Sequence, residues 1–190
     1  MSALLLALTG CVPHLYTDSA VPWDWVVPVN SWEVGAPPDG LLGEGFFVGD
    51  VIPDVRGQDQ FGDEVSLWQF YGGLVVLDIS TVWCAPCRDL ARGVQETAEL
   101  YHDRGVTYLT LLGENLEGEP TSPEDCAEWA DAFGITSAPV VTDPVEVRRD
   151  IVTDNAYPRV IIVGRDLRVE IEEIETPTDP KIRDALDGLL

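Results

Sequence analysis

Residues 74–87 have the sequence LVVLDISTVWCAPC, and this stretch decides the fold of the chain. Its first part, Leu74–Ile79, is apolar apart from Asp78, which is typical of a strand buried on both faces. Its last part opens a segment with apolar residues at helical spacing. Cys84 and Cys87 therefore stand at the point where a buried strand gives way to a long helix.

The chain around this stretch alternates between strands and helices. This order predicts an α/β domain over residues 48–190, with a central, partly parallel sheet covered by helices on both faces. The predicted elements are hairpins at Phe61–Val65 and Gly164–Asp166, strands at Leu74–Ile79, Val106–Leu112, Arg159–Val163 and Leu167–Ile171, a short apolar stretch at Pro139–Thr142, and helices at Pro86–Arg104, Pro123–Phe133, Val145–Val152 and Asp179–Leu190.

The two cysteines at the start of the predicted helix have the spacing of a redox dithiol. Unpaired backbone N–H groups and the helix dipole favour an anion at a helix N-terminus, so the Cys84 thiol should ionise readily. Cys87 lies one turn further along, close enough to form a disulfide but shielded. Pro86 suits the first turn, where its missing N–H costs no hydrogen bond.

These features resemble thioredoxin-fold proteins, nearest the membrane-anchored TlpA-like (redoxin) branch of thiol–disulfide oxidoreductases. The resemblance extends over residues 48–190 and implies a thioredoxin-like fold. It implies that Cys84 is the attacking thiol and Cys87 the resolving thiol of a redox-active disulfide. It also implies that Pro158 is a cis-proline facing the dithiol, and that the backbone of Tyr157 pairs with the substrate chain.

The resemblance assigns roles to two further residues. Asp78 matches a buried acid that helps to deprotonate the resolving cysteine, and burial should raise its pKa toward neutrality. The alternative is an acid at the strand end that reaches water or a backbone N–H. Trp83 matches a tryptophan that shapes the substrate surface, with simple packing as its alternative. We expect Cys126, on the second predicted helix, to be a buried and inert thiol, unless it lies near Cys84 and acts as a regulatory one.

The N-terminus resembles the signal peptide and lipobox of a bacterial lipoprotein over residues 1–11. Leu8-Thr9-Gly10-Cys11 fits the lipobox, which implies lipidation of Cys11 and an extracytoplasmic, membrane-anchored protein in a place where disulfides persist. The apolar run Ala3–Leu8 is too short to cross a bilayer, and no basic residue precedes it. The alternative is a frayed apolar terminus with a chance cysteine.

Residues 12–47 have a different composition from the rest of the chain. They contain five prolines, five acids and no Lys or Arg. Because proline interrupts every apolar run, this segment predicts an extended, acidic tether between anchor and domain. Its three tryptophans, Trp23, Trp25 and Trp32, favour packing of part of the segment on the domain or on a partner.

The charge balance narrows the range of partners. The chain has 34 acidic and 11 basic residues, a net charge of -23, which excludes sequence-independent nucleic-acid binding. We predict a thiol–disulfide oxidoreductase that exchanges disulfides with protein substrates, as a reductant supplied by an upstream redox partner. We expect no cofactor and no metal. The acidic surface favours either basic partner proteins or a salty medium.

Two other functions stay open at this point. One is a copper- or metal-binding chaperone module on the same fold, although the cysteine spacing is one residue shorter than the C-x-x-x-C of such carriers. The other is a peroxiredoxin-like peroxidase, because Thr81 and Cys84 form the T-x-x-C part of that site. Leu77 stands where its proline is expected, and Cys87 follows too closely.

Overall fold

The computed structural model describes residues 25–143 and 145–190. The predicted signal peptide, the predicted lipidation residue Cys11 and Trp23 lie outside the described residues. In order along the chain, the elements are β1 Arg56–Gln58, β2 Glu64–Ser66, a 3-10 helix Leu67–Phe70, β3 Leu74–Ser80, α1 Ala85–His102, β4 Val106–Leu112, α2 Pro123–Phe133, β5 Val140–Thr142, α3 Val145–Ile151, β6 Arg159–Val163, β7 Val169–Ile171 and α4 Asp179–Leu189.

A five-stranded mixed sheet forms the centre, in the order β5-β4-β3-β6-β7. Strands β3, β4 and β5 are parallel, β6 runs antiparallel to β3, and β7 runs antiparallel to β6. Strands β1 and β2 form a separate antiparallel hairpin. The parallel strands place the ends of β3 and β4 at one edge of the sheet, where the dithiol follows β3. The predicted central mixed sheet is confirmed.

Every residue of β3 is buried, which explains its continuous apolar sequence. The side chains alternate between two cores. Leu74 and Val76 belong to the core that includes residues of α1, α2 and α4. Val75 and Leu77 belong to the opposite core, where the 3-10 helix, the β2 strand and α3 contribute. Helices therefore cover both faces of the sheet, as predicted.

Two of the apolar stretches seen in the sequence form strands that begin one or two residues after the stretch itself begins. Pro139 has no N–H to offer the sheet, and β5 starts at Val140. Leu167 lies in the turn before β7, with a φ of 64° and its N–H donated to the carbonyl of Gly164 at 3.0 Å. Its side chain is nevertheless fully buried, which accounts for its apolar character.

Residues 25–47 lie on the domain rather than extending away from it. The indole N–H of Trp25 donates to Ser66 Oγ at 3.1 Å, and that of Trp32 donates to Asp59 Oδ2 at 2.7 Å. Leu41 and Phe46 pack against the core on the same side of the sheet. The described part of the predicted tether, residues 25–47, therefore packs on the domain that begins at residue 48. None of the helices in the described residues is long and apolar enough to cross a membrane.

Candidate active site

The N-terminus of α1 holds the predicted dithiol as a disulfide between Cys84 and Cys87, with Cα atoms 5.3 Å apart. Cys84 is the N-cap residue, with extended backbone, and its Sγ accepts a hydrogen bond from the N–H of Cys87 at 3.2 Å. Proline occupies the first turn, as predicted. Cys84 is 4% exposed and Cys87 0%, so Cys84 is the sulfur that a partner can reach first.

The local backbone favours a thiolate at Cys84. Its sulfur already faces a free N–H of the first helical turn, at the positive end of the helix dipole. Reduction of the disulfide leaves this donor in place. The geometry therefore places the Cys84 sulfur where a negative charge is favoured.

The peptide bond between Tyr157 and Pro158 is cis, and Tyr157 packs against the core that includes both cysteines. Arg159, the next residue, pairs with Ile79 near the end of β3, shortly before the cysteines. The Trp83 ring contacts the Tyr157 ring edge to face, with centroids 5.8 Å apart and an angle of 88°. Trp83 is 42% exposed. The structure thus brings together all the residues that the sequence predicted for substrate contact.

Asp78 is buried on the side of the sheet that α1 covers. It accepts hydrogen bonds from Ser80 Oγ to Oδ1 at 2.7 Å and from the Tyr108 hydroxyl to Oδ2 at 3.4 Å. Burial raises the pKa of Asp78 to about 7, although both hydroxyls oppose the shift. The side chain is 1% exposed and its partners are hydroxyl groups, so the alternative of a strand-end acid reaching water does not hold.

Three charged residues that the sequence analysis did not single out complete the site. The indole N–H of Trp83 donates to Glu114 Oε2 at 2.8 Å. Glu114 Oε1 lies 3.0 Å from Arg148 Nη1, and Arg148 Nε lies 3.6 Å from Asp143 Oδ2. The Asp143 and Arg148 side chains are buried, and burial raises the pKa of Asp143 to about 7 against the effect of the guanidinium. In the sequence, the one signal for this group was Arg148, a charged residue on the inward face of helix α3.

Cys126 is a free thiol at 0% exposure, and burial raises its pKa to about 12. These values agree with the expected inert thiol. His102 is exposed and ends α1, at the opposite end from the dithiol. Within residues 25–143 and 145–190, no group of three or more His, Cys, Asp or Glu side chains is placed to hold a metal ion.

Comparison with known proteins gives the family. The model of the AhpC/TSA family matches residues 48–170. The chain belongs to the AhpC/TSA family. Among curated relatives of this family member, a thioredoxin-like protein YneN from Bacillus subtilis (strain 168) is 23% identical over 139 residues, 73% of this chain and 78% of that protein. A thioredoxin from Chlamydia muridarum is 28% identical over 97 residues, 50% of this chain and 78% of that protein.

Solved structures show the same fold. The thioredoxin domain of a thiol-disulfide oxidoreductase from Bacteroides vulgatus superposes with a TM-score of 0.62 at 20% identity, over 75% of this chain and 97% of that one. A DsbF homologue from Corynebacterium diphtheriae has a TM-score of 0.58 at 22% identity, over 84% and 99%. The family match and these relatives confirm the predicted thioredoxin-fold oxidoreductase.

Proposed function

We propose that the protein reduces disulfides of other proteins outside the cytoplasm. The observation that carries this proposal is the disulfide at the N-terminus of α1, with Cys84 more accessible than Cys87 and with Tyr157, which precedes the cis-proline, packed against the core that includes both cysteines. The reaction is dithiol exchange, which needs no group beyond the two sulfurs.

In the proposed reaction, the Cys84 thiolate attacks one sulfur of a substrate disulfide, and the other substrate sulfur leaves as a thiolate. The Cys87 thiolate then attacks Cys84 Sγ in the mixed disulfide and releases the second substrate thiolate. Two electrons pass to the substrate, and the protein is left with the disulfide that the structure contains. An upstream dithiol protein must reduce it again for another cycle.

Asp78 is the proposed base for the resolving step. Because its pKa is about 7, it exchanges a proton near neutral pH, and it lies on the side of the sheet that α1 and Cys87 occupy. The Tyr108 and Ser80 hydroxyls hold both carboxylate oxygens in place. Cys87 has no exposed surface, so its proton must leave toward an internal acceptor.

The substrate surface is proposed to consist of Trp83, Tyr157 and Pro158. The half-exposed indole offers apolar contact area next to Cys84. An extended substrate segment can pair with the backbone of Tyr157, which lies just before the start of β6. This arrangement suits a flexible polypeptide around a cysteine.

An extracytoplasmic location with a lipid on Cys11 is part of the proposal. It rests on the lipobox-like sequence Leu8-Thr9-Gly10-Cys11. One of the similar solved structures is a thiol:disulfide interchange protein from Bacteroides sp., which agrees with the proposed chemistry. Labelling of the expressed protein with a radioactive fatty acid, lost in Cys11→Ser, tests the anchor.

Trapping of the mixed disulfide tests the exchange reaction. In Cys87→Ala the resolving thiol is gone, so substrates should stay bound to Cys84 and appear as reducible adducts on a non-reducing gel. The double variant Cys84→Ala/Cys87→Ala is the matched control and should trap nothing. Absence of any adduct in Cys87→Ala would contradict exchange chemistry.

The environment of Thr81 favours a second candidate, a peroxiredoxin-like peroxidase. Thr81 is fully buried three residues before Cys84, and its hydroxyl has no hydrogen-bond partner among the described residues. In that reaction the Cys84 thiolate takes one peroxide oxygen as sulfenic acid and releases water, and Cys87 then forms the disulfide and a second water. Turnover of hydrogen peroxide by the reduced protein, lost in Thr81→Val, would favour this candidate over exchange.

A further inference from the structure

An ionic chain, buried at Asp143 and Arg148 and partly exposed at Glu114, links helix α3 to the rim of the dithiol. Asp143, which follows β5, contacts Arg148 of α3, and Arg148 contacts Glu114, which follows β4. The second oxygen of Glu114 accepts the indole N–H of Trp83, the residue before Cys84. Four side chains from four separate segments are thus connected in one line that ends beside the reactive sulfur.

The backbone at Gly113 leaves little room beside the Arg148 side chain. A Cβ atom on Gly113 would lie 2.8 Å from both Cδ and Nη1 of Arg148, so a larger residue there would displace the arginine side chain. The backbone carbonyl of Glu114 accepts the N–H of Val82 at 2.8 Å, which fixes Glu114 to the segment that leads into the cysteines. Glu114 is therefore held by its backbone and by both carboxylate oxygens.

Burial makes the central arginine hard to replace. Arg148 is 7% exposed, and a buried cation is tolerated only when it is paired. Its planar guanidinium reaches Asp143 through Nε and Glu114 through Nη1, and a lysine ammonium offers only one point of contact. The arrangement therefore depends on arginine chemistry and not on positive charge alone.

The same chain connects the two halves of the proposed substrate surface. Tyr157 lies close enough to Arg148, Glu114 and Asp143 for their charges to influence its hydroxyl. Its ring packs against the edge of the Trp83 indole. The Trp83 indole is thus bound to Glu114 through its N–H and contacts the Tyr157 ring in the same orientation.

We infer that Glu114 and Arg148 are positioning residues that hold the Trp83 indole against Tyr157, and so preform the surface that a polypeptide substrate contacts. Neither residue touches the sulfurs. This inference rests on the proposed function, because that function makes Trp83 and Tyr157 substrate contacts. It distinguishes large substrates from small ones: a small disulfide needs only Cys84, whereas a polypeptide needs the indole in place.

The first test observes the indole directly in the oxidised full chain. The chain has six tryptophans, and the indole N–H signal missing from Trp83→Phe in a nitrogen-15 correlation spectrum identifies Trp83. Glu114→Ala should move this signal upfield, because the carboxylate acceptor is lost, and Glu114→Gln should restore part of the shift. Arg148→Lys should broaden or move the same signal. Glu117→Ala, an exposed acid on the same loop, should leave it unchanged.

The second test separates positioning from general damage. With reduced protein and insulin as substrate, Glu114→Ala should raise KM about tenfold at nearly constant kcat, which is the loss of one charge-assisted hydrogen bond. The rate with the small, uncharged hydroxyethyl disulfide should match that of the wild type. Glu114→Gln should recover part of the insulin KM, and Glu117→Ala should change neither rate.

The two tests keep the inference distinguishable from the proposed function. An unchanged Trp83 signal in Glu114→Ala, or a parallel loss of rate for insulin and the small disulfide, overturns the positioning role. A wild-type protein that exchanges neither substrate overturns the proposed function, and the Trp83 signal then decides by itself whether Glu114 holds the indole.

Discussion

Two buried aspartates of the candidate active site show how similar burial produces different chemistry. The pKa of both Asp78 and Asp143 is raised to about 7 by burial. Asp78 faces two hydroxyl groups, whose hydrogen bonds only partly offset the effect of burial, and this suits its proposed role as a base in the resolving step. Asp143 faces the Arg148 guanidinium, whose charge favours the carboxylate and gives it a structural part in the site.

Replacing Asp78 by Asn should stabilise the protein above neutral pH. The pKa of Asp78 is about 7 in the folded state against 3.8 as the reference, so the folded state holds its proton between these values. Stability from this group is therefore complete below pH 4 and lost as the pH rises through 7. At pH 8 the unfolding free energy of Asp78→Asn should exceed that of the wild type by on the order of 2–4 kcal/mol.

Urea unfolding of the oxidised protein at pH 4 and pH 8 checks this expectation. The difference between Asp78→Asn and wild type should shrink toward zero at pH 4. Asp143 titrates in both proteins, so its contribution cancels. Asp89→Asn, which changes an exposed acid on α1, serves as control and should show no such pH dependence. A constant difference across pH would mean that Asp78 does not titrate with a raised pKa.

Cys126 should behave as a packing residue and not as a reactive thiol. Its burial and its pKa of about 12 leave no accessible thiolate at pH 8. Iodoacetamide should therefore label Cys84 in the reduced native protein, and the peptide with Cys126 only after denaturation. Cys126→Ala should keep full exchange activity and lose about 1 kcal/mol of stability. Rapid native labelling of the Cys126 peptide would require an opening that the structure does not show.

At the scale of elements, local patterns were enough to predict the framework. The apolar run of β3, the helical stripe of α1 and the proline in its first turn are local features, and the structure forms both elements close to the predicted bounds. The cysteine pair could be predicted because it opens a helix after a buried strand, and the cis-proline because the resemblance to thioredoxin-fold proteins implied it. The 3-10 helix Leu67–Phe70 was missed, because four residues carry no period.

The rest of the site needed the third dimension. Glu114 and Arg148 are 34 positions apart, and each resembles an ordinary surface charge until β4 and α3 are assembled. Residues 25–47 were predicted as a tether because prolines interrupt every regular pattern there. Their attachment depends instead on single indole groups that find acceptors on the hairpin, such as Asp59 for Trp32. The tryptophans indicated packing of part of this segment, but local sequence does not tell which groups accept their N–H hydrogens.

The attachment of this segment should depend on Trp32. Trp32→Phe keeps the stacking on Phe61 but removes the donor to Asp59, a fully buried carboxylate. An unmatched acceptor of this kind should lower the unfolding free energy by about 1–3 kcal/mol and speed proteolysis within residues 25–47. Urea unfolding measures the change in free energy, and a time course of digestion with chymotrypsin measures the change in proteolysis. Val29→Ala, at a position 90% exposed, is the control. Unchanged digestion of Trp32→Phe would show that this indole does not hold the segment.

At the scale of the whole molecule, the acidic surface acts on encounter rather than on chemistry. Residues 1–47 hold five acids and no Lys or Arg, so 29 acids and 11 bases, a net charge of -18, belong to residues 48–190. Three glutamates, at positions 114, 117 and 119, occupy the loop whose first member binds Trp83. A negative potential therefore surrounds the approach to Cys84, and it should favour positively charged substrates.

Salt dependence with charged peptides should decide between the two explanations of this acidity. If the surface selects basic partners, kcat/KM for a lysine-rich peptide disulfide should fall about tenfold between ~20 mM and ~500 mM NaCl, because salt screens the attraction. An aspartate-rich peptide disulfide should react faster as salt is added, and an uncharged one should change little. If the surface is an adaptation to a salty medium, solubility and thermal stability should rise with salt while all three peptides respond alike. Equal salt dependence of the three rates would therefore exclude partner selection by charge.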